Sequence, residues 1–316
     1  MTTRRSFLAA STAAAAGAFI SKGASAADVA TTQLPAKWDA ETDVLVAGSG
    51  IAGMSAAISA LDKGAKVLVM EKGKNYGGCA IINGGIIALG GGTRTQKEHG
   101  VEDSPEKLYK KLTNPAHHEY RKNTPELVKK YSEWCPGTQV WLEEHGVKFL
   151  PTFTRPGKYD SQHHESYHHI WWKDSGEGGR KPQPTGGFMT GRGIMMPYYE
   201  YFTGKGGQIF LEHKVLDVYV NDQGAVIGAK VQKPDGSIMN VKANKGVVLA
   251  GGSWKANPEL RRLTDPRFTE NMISTGYPFV APDGSAILAG MRAGGMYVGD
   301  RCEDTPHLRR KFGTAH

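Results

Sequence analysis

The sequence predicts an α/β fold, a parallel sheet carrying helices with an antiparallel β-meander inserted into it. Residues 42–47 (TDVLVA) form a short, β-branched apolar run that ends in Gly48-Ser49-Gly50-Ile51-Ala52-Gly53. Helical apolar spacing follows from Met54 to Leu61, and Gly64 stops it before a second apolar run at residues 66–70 (KVLVM). Far downstream, residues 209–241 hold three strand-like runs divided by Asn221-Asp222-Gln223-Gly224 and by Pro234-Asp235-Gly236, with another apolar run at 246–250.

The 316 residues include 39% hydrophobic and 22% charged residues, enough for a real core and too apolar for a disordered chain. With 3 cysteines the chain is not a disulfide-dense scaffold. The 41 glycines follow no collagen period and belong to turns and close backbone approaches. Residues 1–26 read as an export signal: Arg4 and Arg5, an Ala-rich run to Ile20, and the small-residue cleavage pattern Ala24-Ser25-Ala26. Thr3-Arg4-Arg5-Ser6-Phe7-Leu8 resembles the twin-arginine class, which implies a periplasmic protein exported already folded around a cofactor. The formal net charge of +8 falls to +5 once the three cations of residues 1–26 are removed. No basic stripe with interleaved aromatics is present, so nucleic acid is not an expected partner. After residue 30 no apolar stretch approaches the roughly 20 residues that span a bilayer, so no membrane span is expected in the mature chain.

The first strand, turn, helix and second strand end on Glu71, 23 residues after Gly48, which completes a dinucleotide-binding constellation of Rossmann type. Gly48 permits the tight turn, and Gly50 leaves the backbone bare for a diphosphate. Gly53 and Ala57 let the helix pack closely on the strand. The helix start at Ile51 and Ala52 offers unpaired N–H groups and a partial positive charge. The Glu71 carboxylate suits ribose hydroxyls and would repel a 2′-phosphate, which disfavours NADP. A second glycine-rich stretch, Gly77-Gly78-Cys79-Ala80-Ile81-Ile82-Asn83-Gly84-Gly85, and the position of the motif close to the mature amino terminus favour FAD over NAD. An NAD dehydrogenase of the same fold is the alternative.

These motifs, with Glu71-Lys72, Val248-Leu249-Ala250-Gly251-Gly252, Asp283-Gly284 and Ala293-Gly294-Gly295, resemble the fumarate reductase/succinate dehydrogenase flavoprotein superfamily, which includes the 3-oxosteroid dehydrogenases. The resemblance runs from about residue 42 to about residue 300. The five-residue gap between the Gly-Gly pairs, and Gly191-Arg192-Gly193 with Met196-Pro197, look more like the steroid-dehydrogenase branch. The resemblance implies a Rossmann-like FAD-binding domain and hydride transfer between flavin and an activated C–C bond of a small-molecule substrate, with a separate electron donor or acceptor. It also implies that the strand holding Val215 approaches the adenine, that Ala250 and Gly251 pass the cofactor, and that Asp283 lies near the flavin. Gly78, Cys79, Asn83, Gly84 and Gly85 would border the cofactor as well, although family members often carry Asn or Thr, then Ser, where Cys79 and Ala80 stand. Cys79 is either a flavin contact or a small buried cysteine. No histidine lies between Glu71 and His99, so the flavin is expected to be non-covalent.

Residues 104–113 and 124–146 have helical spacing, with Trp134, Trp141 and Leu142 expected in the core and Gly146 as the stop. Residues 151–187 read as irregular. Their His163-His164 and His168-His169 pairs suit a solvated loop or a pocket wall better than a metal site, because neighbours at i and i+1 point apart and no Cys or Asp completes a known pattern. A helix runs from Ile194 towards Gly204. Strands are expected at 209–220, 225–232, 237–241 and, fully buried, at 246–250.

The expected organisation is thus a signal at 1–26, an FAD-binding domain at 27–300 with a helical and loop excursion at 104–200, and at 301–316 the start of a capping region or an aberrant tail. By the resemblance, the cap that carries the catalytic groups follows Gly295. His307 has unconvincing neighbours, so no catalytic residue is assigned and the capping domain is expected to be missing. A flavin oxidoreductase whose cap is not represented and an inactive FAD-binding fragment both remain open.

Overall fold

The computed structural model describes residues 32–114, 124–153, 167–171, 190–264, 272–274, 280–297 and 308–310. The export signal, His163, His164 and His307 lie outside the described residues. Strand β1 (Ala40–Ala47) is the axis around which the rest is arranged. It pairs in parallel with β2 (Val67–Met70) on one side and with β9 (Ile238–Leu249) on the other. Strand β6 (Gln208–Phe210) extends the parallel part beyond β2. Strands β7 (Lys214–Val220), β8 (Val226–Gln232) and β9 form the antiparallel meander, so the sheet order is β6-β2-β1-β9-β8-β7.

Side chains alternate across the sheet, and each face has its own core. Val46, Val67 and Val69 pack against helix α1 (Ile51–Asp62) through Met54, Ala57 and Ile58, and against α6 (Arg192–Gly204) through Ile194, Met195, Tyr198 and Phe202. Leu45, Ala47, Leu68 and Met70 point the other way, onto Val215, Val218, Ala229 and Val231 of the meander. The meander, joined to the parallel strands through β9, thus shares a core with this second face.

The run expected as one strand over 209–220 breaks in two. Glu212 adopts φ 57°, a left-handed conformation, its N–H donates to Gly73 O at 3.0 Å, and the N–H of His213 donates to Glu71 O at 2.8 Å. The chain thus crosses over the end of β2 and leaves β6 and β7 on opposite edges of the sheet. Conversely, the runs expected as two strands at 237–241 and 246–250 fuse into β9. Polar residues bridge the gap: Asn244 donates to Glu41 at 2.9 Å, and Lys245 pairs with Asp43 at 3.4 Å across the bulge between Thr42 and Val44. Residues 246–250 are half-buried, not fully buried as the apolar run suggested.

The glycine loop contains the short helix α2 (Gly78–Ile81) and leads to strand β3 (Ile86–Ala88) and helix α3 (Arg94–Glu98). Helices α4 (Pro105–Leu112) and α5 (Pro125–Glu144) occupy the expected helical stretches, and Gly146 with φ 85° follows the second. Part of the stretch expected to be irregular is sheet: β4 (Phe149–Phe153) and β5 (Tyr167–Ile170) pair with each other, and β5 with β3. His168 is buried there, with Nε2 2.9 Å from Thr93 Oγ1, which makes it a core residue and not part of a solvated loop. Trp134 is 67% exposed instead of buried, because α5 turns Val128, Ser132, Cys135, Gln139 and Leu142 inward. Helix α7 (Pro258–Thr264), strand β10 (Met272–Ser274), helix α8 (Ser285–Arg292) and strand β11 (Leu308–Arg310) complete the described elements. Among the described residues no helix is long and apolar enough to cross a membrane.

Candidate functional site

A cavity of about 970 Å³ opens where β1, β2 and β9 end. The loop after β1 supplies Gly48, Gly50, Ile51 and Ala52 to its wall, and the end of β2 supplies Glu71 and Lys72. Gly78, Cys79, Asn83 and Gly84 come from the second glycine loop. The crossover brings His213, Lys214 and Val215, the loop after β9 brings Ala250, Gly251, Ser253 and Lys255, and the start of α8 brings Ser285 and Ala286. Three residues singled out in the sequence stand behind this wall: Gly53, Gly85 and Asp283 are not among those lining it.

The three motif glycines are needed for three different reasons. Gly48 has φ 102°, and a Cβ there would sit 2.4 Å from Ala250 O. At Gly53 a Cβ would fall 1.9 Å from Gly48 O and 3.3 Å from Val46 Cγ1, so α1 presses directly on β1. A Cβ at Gly50 would meet nothing within 4 Å, and it would project into the cavity that Gly50 lines. Gly78 abuts the same turn: its Cβ would lie 3.4 Å from Gly50 Cα. Gly85 packs on Thr190, whose Cγ2 would be 2.4 Å from an added Cβ. Asn83 accepts from Gly85 N–H at 2.6 Å through its side chain, which shapes its own loop.

Glu71 is buried and tightly held. Its Oε2 accepts from Ser49 N–H at 2.9 Å and from the Ser49 hydroxyl at 2.6 Å. Its Oε1 accepts from Gly73 N–H at 2.7 Å. The Ser49 oxygen in turn accepts from Gly77 N–H at 3.1 Å. One hydroxyl thus joins the first glycine turn, the acid at the end of β2 and the second glycine loop.

The rest of the wall favours an anion. Helix α1 starts at Gly50 with no side-chain cap, so it presents unpaired N–H groups and the positive end of a helix dipole, while α8 starts at the wall with Ser285 N–H already held by Asp283. Lys72, Lys214 and Lys255 add ammonium groups. Asp283 holds two of them, with Lys72 Nζ 2.9 Å from Oδ1 and Lys214 Nζ 2.9 Å from Oδ2, while its Oδ1 also accepts from Ser285 N–H at 3.1 Å. Burial alone would raise the Asp283 pKa, but these donors outweigh it and hold the carboxyl far below the usual carboxylate range. Its stabilising contribution is therefore complete above the unfolded value of about 4 and is lost as pH falls towards the depressed folded value. Asp283→Asn is expected to lower the melting temperature at pH 7 by a few degrees. The gap from the parent should narrow steadily in melts taken below about pH 4.

Cys79 is exposed, and that exposure faces the cavity it lines, which removes the small-buried-cysteine reading. Partial enclosure pushes its thiol pKa up, with the Lys255 charge pulling the other way. Ser49, His213, Lys214 and Lys255 were not signalled by the sequence motifs, whereas Asp283-Gly284 marks the start of α8. The one available hint was the polar trio Glu212-His213-Lys214 interrupting an otherwise apolar run.

Residues 43–308 match the family described as FAD binding domain. The chain belongs to this family. As an FAD binding domain it is 29% identical over 277 residues to the acrylate reductase flavoprotein subunit of Shewanella woodyi, covering 85% of this chain and 50% of that protein. It is 30% identical over 243 residues to a fumarate reductase (cytochrome) of Shewanella frigidimarina, covering 77% of this chain and 38% of that protein. Among solved structures it superposes on 3-ketosteroid-Δ4-(5α)-dehydrogenase from Rhodococcus jostii RHA1 with a TM-score of 0.69 at 28% identity, over 83% of this chain and 55% of that one. The FAD binding domain described here thus spans about half or less of the length of these curated relatives.

Proposed function

We propose that this cavity holds FAD non-covalently, in a periplasmic oxidoreductase that moves a hydride between the flavin and an activated carbon–carbon bond of a small molecule. A separate electron donor or acceptor completes the exchange, and the twin-arginine signal carries the folded domain out of the cytoplasm. The observation that carries the reading is Gly50, whose absent side chain leaves space between an uncapped helix start and the second glycine loop. Membership of the FAD binding domain family supports it, as do relatives named as reductases and as a steroid dehydrogenase.

In this reading Glu71, Lys72 and Val215 hold the adenosine half, with His213 and Lys214 beside them. Gly48, Gly50, Ile51 and Ala52 receive the diphosphate through their bare backbone and the α1 dipole. Gly78, Cys79, Asn83, Gly84, Ala250 and Gly251 border the flavin half. Gly53, Gly85 and Asp283 act from behind the wall, two by close packing and one by fixing Lys72 and Lys214. The lack of any histidine between Glu71 and His99 supports non-covalent binding. When bound, FAD supplies the hydride-carrying atom, and the protein supplies position and electrostatics. Ile82 and Ile86 give the cavity an apolar wall at the end formed by the second glycine loop.

The test is expression of the chain, an absorbance spectrum, and mass analysis before and after denaturation. A flavin spectrum that leaves with the small-molecule fraction, and an unmodified polypeptide mass, are expected. A colourless protein that takes up no added FAD would overturn the reading.

A further inference from the structure

We infer that Ser49 is a positioning residue that restricts Glu71 to a single hydroxyl of the bound ribose. The inference rests on the FAD reading above and concerns how that same site selects its ligand. Ser49 is fully buried and does not line the cavity, so it acts through Glu71.

An ionised carboxylate offers about four accepting positions, two on each oxygen. Both positions on Oε2 are taken, by Ser49 N–H at 2.9 Å and by the Ser49 hydroxyl at 2.6 Å. One on Oε1 is taken by Gly73 N–H at 2.7 Å. A single position on Oε1 remains for the cavity. A serine hydroxyl has one proton to give, and here Glu71 receives it, so Ser49 cannot donate to the ligand as well. The sequence motif alone suggests an acid gripping both ribose hydroxyls; the filled Oε2 leaves room for one.

The same hydroxyl accepts from Gly77 N–H at 3.1 Å, which couples the carboxylate to the loop carrying Gly78 and Cys79. Gly77 N–H has a second acceptor, the Ser49 carbonyl at 3.2 Å, so Ser49→Ala removes the hydroxyl bond to Glu71, and keeps the backbone N–H bond, without leaving that amide unpaired.

The experiment is calorimetric titration of the full chain, stripped of flavin, with ADP, 2′-deoxy-ADP and 3′-deoxy-ADP. For the parent, one deoxy analogue should bind about tenfold more weakly than ADP and the other within about twofold of it, as expected when one of two hydroxyls meets a charged acceptor. In Ser49→Ala the carboxylate keeps only the backbone N–H bond at Oε2 and can turn its one vacated position towards the second hydroxyl, so the two analogues should converge; Ser49→Thr, which keeps the hydroxyl, should restore the difference. A merely structural role would lower all three affinities together and leave their ratios unchanged. Equal losses for both analogues in the parent would overturn the inference even if Ser49→Ala does not fold, and so would an unchanged ratio in a folded Ser49→Ala. Failure of the parent to bind both FAD and ADP would instead bring down the FAD reading, and the inference with it.

Discussion

Gly50→Val is expected to abolish flavin retention while leaving the fold intact. Gly50 has φ −69° and ψ −178°, an extended conformation that any L-residue adopts. No atom lies within 4 Å of the position its Cβ would take, so the branch point of the new side chain meets no protein. It meets the cavity instead, between the first turn of α1 and the glycine loop at Gly78. A diphosphate drawn to that helix start would be displaced by the width of a side chain, and its hydrogen bonds to the backbone would go with it. A loss of at least about a hundredfold in FAD affinity is expected, equivalent to about 2.7 kcal/mol, with the apo-protein melting temperature unchanged. Fluorescence titration with FAD and a melt of the flavin-free protein read the two quantities separately. Unchanged flavin occupancy would mean that the ligand lies elsewhere.

Gly53→Ala, three residues away, should do the opposite and disrupt the fold. Its Cβ would lie 1.9 Å from Gly48 O and 3.0 Å from Gly48 C, distances at which backbone must move. The helix would have to lift from β1 along the contact where Met54, Ala57 and Ile58 are fully buried. A destabilisation of about 3 kcal/mol or more is expected, at the severe end for overpacking, because the obstructing atoms are main chain. Urea denaturation of the flavin-free protein measures it. A variant as stable as the parent would show that α1 does not rest on the turn as closely as described. Within one short motif, one glycine makes room for a ligand and the other for a helix.

Most of the nucleotide-binding turn was legible in the sequence because its chemistry is local. Strand, glycines, helix and Glu71 lie within a few dozen residues, and each residue type has a short-range reason to be there. Ser49 was not legible, since it occupies a position of the motif that tolerates any residue, and its importance depends on Glu71 reaching back to it. His213, Lys214 and Lys255 were not legible because distant segments carry them to the cavity; only the polar interruption at 212–214 hinted at the crossover. Trp134 misled through its bulk. The inward face of α5 includes Gln139, which is fully buried yet satisfied by Thr95: Nε2 donates to Oγ1 at 2.5 Å, and Oε1 accepts from Thr95 N–H at 3.3 Å. A polar side chain whose bonds are made can displace an apolar one from a core face. The polar residues 242, 244 and 245 suggested a break, whereas Glu41 and Asp43 on β1 answer them and β9 runs through.

The wall of the cavity runs from Ala47 to Ala286 in the chain, and Ala250 closes directly over Gly48. While the ribosome is still adding residues short of β9, the emerging polypeptide already contains the glycine turn but has nothing to seat against it. Non-local closure of this kind comes late in folding. The seat for a cofactor is therefore complete only once β9 and the start of α8 have been made, and any step that needs the loaded domain must wait for them.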